Sequence, residues 1–251
     1  TLYPPRTEGV IPGRAAATLL NANKAGEAMM LITLFGLAAL PRRLRPLLLV
    51  AAAVGVVATF GRNSMLAWIV AVGLLVATRA VSAAGAATLF GAGVAGGLLA
   101  GALVEFASNT PELARAASDL AGRLGFFTSG RVSDDSASER LTVALAALDL
   151  FFANPLLGAG AGSTYLWALP VSPHNLPLAL AAEFGLVGLA GWIWAVVLLW
   201  RGRFFAERPL QIVGAVLFVF YSMFSHSLFD FAYWLLAMAL PAWATVAVEQ
   251  L

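Results

Sequence analysis

Cysteine is absent from the 251 residues, and histidine occurs only twice, at His174 and His226. Without cysteine there are no disulfides, thiolate zinc sites or iron–sulfur clusters. Two histidines are too few for a His-based metal cage. Charge is scarce as well: 11% of residues are charged, against ~25% in an ordinary soluble domain. So few charges cannot cover a water-facing surface of this size, which argues against a soluble enzyme, a disordered tail or a nucleic-acid binder. The formal net charge of +2 says little about partners; where the charges sit matters more. The front of the chain has no charged segment, short apolar run and cleavage site in series. Because it opens at Thr1, it reads as a fragment, or as a processed or trimmed chain.

What the chain has in excess is apolar sequence, 61% of residues, gathered in long runs bounded by arginines. A spanning helix needs ~20 mostly apolar residues to cross ~30 Å of hydrocarbon. Seven runs qualify, at 25–40, 44–60, 63–79, 82–106, 176–200, 209–228 and 231–248. The expected fold is therefore all-α, a polytopic membrane helix bundle. It divides into four spans over 1–106, an aqueous stretch over 107–175, and three spans over 176–251. The fourth run is dense in Gly and Ala, with one GxxxG match at Gly97 and Gly101, which predicts tight helix packing.

Arginines set the orientation, since cytoplasmic loops hold excess Lys and Arg. Arg42, Arg43 and Arg45, then Arg79, then Arg201, Arg203 and Arg208 all fall on one side if the spans alternate. Residues 1–24, the turn at Arg62, the stretch 107–175 and the turn near His226 are then outside. Between Glu105 and Pro173 four arginines face seven acids, so arginines acting on an anion there act individually. Ser136-Ala-Ser-Glu139 reads as a capping box that starts an amphipathic helix ending at Asn154 before Pro155.

Four features can carry chemistry. His174 and Asn175 open a helix at the outer membrane edge, with Glu183, Gly185 and Gly188 following. A histidine there can take a proton from a hydroxyl, or simply satisfy a loop carbonyl. Arg62 sits in the tight turn TFGRNS, as a functional guanidinium or as one that snorkels to headgroups. Arg140, with Arg131 nine residues earlier, stands near a helix N-terminus, which favours an anion or an ion pair with Asp134 or Asp135. Glycines at 158, 160 and 162 can turn backbone N–H groups toward an anion, although the pattern is neither a P-loop nor a Rossmann fingerprint. His226 and Asp230, four apart, form a local pair or line a cavity. Glu27 at the outer end of the first span is an interfacial or bundle-facing acid.

Taken in order, these pieces resemble the O-antigen ligase family. His174-Asn175, nine residues, then Gly185-Leu-Val-Gly188 fits that family's H-[NSQ]-x9-G-x-x-G pattern, with Glu183 just ahead of the first glycine. Pro155-Leu-Leu-Gly158-Ala-Gly160 resembles its P-L-x-G-x-G segment. Arg140 resembles the family's loop arginine, and Arg62 the arginine that follows a transmembrane helix. Asn21-Ala-Asn23 resembles an Asn-Pro-Asn before an earlier span. Gly61 and Glu139 stand where serines usually flank the two arginines, and Ala22 replaces the proline.

The resemblance implies a metal-independent, inverting membrane glycosyltransferase of GT-C-like architecture, with no cofactor. It would act at the periplasmic face of the bacterial inner membrane. The implied donor is a glycan on undecaprenyl pyrophosphate, and the implied acceptor is a sugar hydroxyl of lipid A–core. His174 would activate the acceptor, with Glu183 as its orienter, while Arg62 and Arg140 hold the pyrophosphate. Arg131, Asn175, Glu183, Gly158 and Gly160 would bind substrate. An O-antigen polymerase or a protein O-oligosaccharyltransferase would share the donor. A non-catalytic transporter of lipid-linked sugars would instead show inverted repeats and midplane polar groups, which this chain lacks.

Overall fold

Every apolar run that falls on a described residue is a helix. The computed structural model describes residues 21–59, 61–108, 134–169, 172–202, 205–226 and 228. Among these there is no strand, and the expected all-helical bundle holds. The run at 231–248 lies outside the described residues, as does Asp230. The chain divides into two units, Thr1–Arg131 and Val132–Leu251.

In the first unit, α1 runs Ala22–Ala39, α2 Arg45–Ala58, α3 Arg62–Ala77 and α4 Ala83–Ser108. Helix α1 begins where Asn21 caps it, its side-chain oxygen accepting from the N–H of Asn23 at 2.8 Å and of Lys24 at 3.3 Å. It stops at Leu40 before Pro41, which cannot continue a helix. Helices α1, α2 and α3 pack on one another, and α2 also packs on α4. Small residues admit large ones at these seams: Gly36 faces Leu48, and Gly55 faces Met29. Trp68 of α3 donates its indole N–H to the Leu49 carbonyl of α2 at 3.3 Å.

One charge expectation and one packing expectation meet the structure here. Arg42 and Arg43 are exposed, but Arg45, the first residue of α2, is 2% exposed and belongs to the packed unit. Gly91, Gly93 and Gly96 of α4 have no described neighbour within 4 Å of where a Cβ would lie. Gly85 of the same helix does pack closely, its Cβ position 2.7 Å from Pro46, while the surroundings of the Gly97–Gly101 pair lie outside what is described. Small side chains permit close approach but do not supply a partner.

In the second unit, α5 runs Asp134–Ala153, α6 is the single turn Ser163–Leu166, α7 runs Leu176–Arg201 and α8 Arg208–Phe224. Helix α5 starts two residues before Ser136, so the Ser136–Glu139 pattern is not its cap. Its buried Val143 and Ala147, one turn apart, belong to the helix that packs on α7.

Helices α7 and α8 form an antiparallel pair. Trp192 donates to the Ser222 hydroxyl at 3.2 Å. At the far end Arg208 donates to the Trp200 carbonyl at 2.6 Å, its guanidinium 5.5 Å from that ring centre. Gln211 ties the same turn, accepting from the Phe205 N–H and donating to the Leu199 carbonyl. Arg201 and Arg208 thus lie at one end of this pair, and His174 at the other.

Among the described residues one helix, Leu176–Arg201, is long and apolar enough to cross a membrane. Only 17% of its apolar window is buried, and Leu186, Val187, Ile193 and Trp194 are exposed, as suits a lipid-facing helix rather than a soluble core. Arg62–Ala77 and Arg208–Phe224 are apolar but have 16 and 17 residues. At ~1.5 Å per residue these reach about 25 Å, short of ~30 Å of hydrocarbon. The six expected helices that fall on described residues are present, and they do not establish seven full crossings.

Candidate active site

The family-like motifs of the second unit meet at a break in α7. Gly185 has φ 62° and ψ −143°, a backbone state open essentially to glycine alone. A break there interrupts the i→i−4 ladder and leaves peptide groups to satisfy. The segment after α5 supplies their partners. Pro155 accepts from the Leu186 N–H at 2.8 Å, while Ala159 and Gly160 donate to the Ala182 and Glu183 carbonyls at 2.8 and 3.0 Å. Gly158 and Gly160 adopt φ 73° and 101° to make this approach. A Cβ on Gly158 would overlap the Glu183–Phe184 peptide, and one on Gly185 would come within 2.5 Å of Leu156.

This changes the reading of the glycine loop. The N–H groups of Ala159 and Gly160 are given to α7, and that of Gly158 is given to Asn154 at 2.8 Å. They are not turned toward an anion. Permissive φ at Gly158 and Gly160 serves backbone-to-backbone contact.

Glu183 completes the same junction. One carboxylate oxygen accepts from the Gly162 N–H at 3.0 Å, the other from the buried Thr164 hydroxyl at 2.5 Å. Both oxygens therefore hold the turn α6, and neither reaches His174 as a direct orienter. Helix α6 carries Tyr165, whose ring centre lies 5.6 Å from that of His226 at 63°. The His226 ring in turn meets His174, centre to centre 6.1 Å at 66°. The chain's two histidines thus converge beside α6, although 52 positions separate them. The spacing of His226 and Asp230 in the sequence gives no sign of this approach to His174, and Thr164 and Tyr165 carry no signal that would single them out.

His174 is half-buried, in the bend just before α7. Asn175 is the N-cap of α7, its side-chain oxygen accepting from the Leu178 N–H at 2.9 Å, and its amide nitrogen lies 4.0 Å from the Met223 sulfur. The cap fixes where the helix starts and hence where His174 stands. Arg140 is exposed and is the seventh residue of α5, not its opening residue. The free N–H groups and the dipole of a helix end fade within one turn, so they do not reinforce this arginine. Arg131 lies outside the described residues.

Arg62 belongs to the first unit, where it opens α3 and is half-buried. The same unit holds buried polar groups near this end. Lys24 and Glu27 form a buried ion pair at 3.2 Å, with side chains 7% and 5% exposed. Thr59 and Ser64 are buried too, and the Gly61 N–H donates to the Thr59 hydroxyl at 3.2 Å. A Cβ on Gly61 would stand 3.6 Å from the Asn23 side-chain oxygen. The Asn21-Ala-Asn23 and Arg62 motifs therefore share one end of one unit, and Glu27 is an ion-paired interior residue rather than an interfacial one. The exposed Arg42 and Arg43 lie at the opposite ends of α1 and α2.

Compared with known proteins, the chain matches the family model described as O-antigen ligase over residues 47–193. No curated protein and no solved structure matches it.

Proposed function

The chain belongs to the O-antigen ligase family, and from this we propose that it is a membrane glycosyltransferase using an undecaprenyl-pyrophosphate-linked glycan as donor and a lipid A–core sugar hydroxyl as acceptor. The reaction is a single inverting displacement at the periplasmic face of the inner membrane. The acceptor oxygen attacks the anomeric carbon, the bond from that carbon to the diphosphate oxygen breaks, and the bonding pair leaves with the diphosphate. The acceptor proton passes to a ring nitrogen of His174.

Negative charge grows on the departing diphosphate as the bond breaks. Guanidinium groups stabilise it without a divalent ion, which is the part assigned to Arg62 and Arg140, with Arg131 nine residues before Arg140. The observation that carries the reading is the junction at Gly185. It ties Pro155–Gly160 by hydrogen bonds to the Ala182–Leu186 stretch of the helix that His174 and Asn175 precede, and the His174 ring stands at that helix's start against His226. That framework gives the imidazole a defined position, which proton transfer requires.

His174→Ala in the full-length protein tests the reading. Transfer from lipid-linked glycan should vanish while the protein stays inserted and abundant, and chelators should not alter the wild-type rate. Near-normal transfer by the variant excludes His174 as the base. Offering lipid A–core, a growing glycan and a protein acceptor side by side separates the ligase from a polymerase or a protein O-oligosaccharyltransferase.

A further inference from the structure

We propose that His226 is a positioning residue for His174. Its ring, held between Tyr165 and His174, fixes the orientation in which the His174 imidazole receives the acceptor proton. The inference rests on the reading of His174 as the base.

Three separate segments deliver the three rings. Tyr165 comes from α6, His174 from the bend before α7, and His226 from the turn that follows α8. His226 meets each neighbour at a steep angle, 63° to Tyr165 and 66° to His174, with centres 5.6 and 6.1 Å apart. Such tilted contacts are the arrangement that ring quadrupoles favour.

The backbone at His174 sets where the side chain starts but not where the ring points. Asn175 caps α7 and so fixes the main chain, whereas the two side-chain torsions of His174 depend on what the ring touches. His226 is one such contact. Its own placement leans on Tyr165, and Tyr165 follows Thr164, which Glu183 holds at 2.5 Å. A line of contacts thus runs from Glu183 through α6 and His226 to His174. Glu183 acts on the histidine at second hand, although its carboxylate is spent elsewhere.

The experiment uses the full-length protein in membranes, with donor and acceptor varied separately. His226→Ala removes the wedge. The expected result is a fall in kcat of about 10²-fold, since displacement of a reacting group by ~1 Å costs that much, with both KM values within about twofold of wild type. His226→Phe keeps a ring of similar footprint and should recover most of the lost kcat. If His226→Ala does not accumulate, Tyr165→Ala carries the test, because it removes the other side of the wedge and should also lower kcat alone. Unchanged kcat in these alanine variants overturns the proposal. So does a rise in acceptor KM with kcat intact, which would make His226 a binding residue, and so does a His226→Phe protein that is abundant yet as slow as His226→Ala. Failure of the base reading looks different: His174→Ala would then transfer normally, whatever His226 does.

Discussion

The peptide N–H of Leu186 donates to the carbonyl of Pro155 at 2.8 Å, so a helix and a loop 31 positions earlier share one hydrogen-bond ladder. The exchange is possible because Gly185 leaves helical geometry while its neighbours on both sides keep it. Gly185→Ala should therefore cost about 1–3 kcal/mol for the backbone state alone. The overlap of its Cβ with Leu156 adds to that. Gly191→Ala is the control: it lies in the same helix with no described neighbour within 4 Å, and Ala favours a helix over Gly by up to ~1 kcal/mol. Thermal unfolding of the detergent-solubilised protein should show a clear loss for the first variant and none for the second. Equal midpoints would mean that the break does not hold the loop.

Glu183 and Thr164 give a second, independent probe of the junction. Thr164 is fully buried and its hydroxyl donates to one carboxylate oxygen, while the Gly162 N–H uses the other. Thr164→Val leaves Glu183 one partner short, and Glu183→Ala leaves both donors short. A double-mutant cycle should return a coupling of about 0.5–3 kcal/mol, as for residues in one network. Additive losses would show that the two side chains do not support each other.

Much of the fold was legible because long apolar runs end at charged residues, prolines or capping side chains. Asn21, Pro41, Asn154 and Asn175 mark boundaries that fall within a few residues of those expected. The break at Gly185 was not legible. Glycine inside an apolar run signals permission to leave helical geometry, but not whether a loop is present to take the freed peptide groups. The same gap explains the glycine loop: positive φ at Gly158 and Gly160 was readable, while the acceptors of the neighbouring N–H groups, on Ala182 and Glu183, lie more than 20 positions away. The spacing of His226 and Asp230 is visible in a sequence, whereas the approach of the turn after α8 to the start of α7, which brings His226 to His174, is not. Lys24 and Glu27 show the reverse: spacing of three allows a pair, but only packing makes it buried.

That buried pair yields a third prediction. Lys24 and Glu27 sit 3.2 Å apart with almost no exposure, at the end of the unit where Arg62 opens α3. Removing one partner leaves a charge in a place that does not solvate it, and such losses run to about 3–5 kcal/mol. Lys24→Met and Glu27→Leu should each lower the unfolding midpoint sharply. The double variant should recover most of the loss, because an apolar pair of similar volume needs no charge compensation. A double variant as unstable as either single one would mean that the ion pair contributes more than mutual neutralisation.

The two arginines differ in what their loss can mean, and that difference makes a fourth prediction readable. Arg140 is exposed on α5, so its replacement disturbs little packing, whereas Arg62 is half-buried at the start of α3 and its variants need an abundance control. A guanidinium binds a diphosphate through two parallel donors, which a lysine ammonium cannot reproduce. Arg140→Ala should therefore lower turnover by about 10²-fold or more, the usual cost of removing one preorganised donor to developing charge. Arg140→Lys should recover only part of it, and Arg62 variants at matched abundance should follow the same order. Steady-state kinetics with the donor varied would check this. An Arg140→Lys protein as fast as wild type would mean that simple charge, not bidentate geometry, serves the leaving group. An Arg140→Ala protein as fast as wild type would remove Arg140 from the mechanism altogether, leaving the charge of the departing diphosphate to Arg62 and other groups.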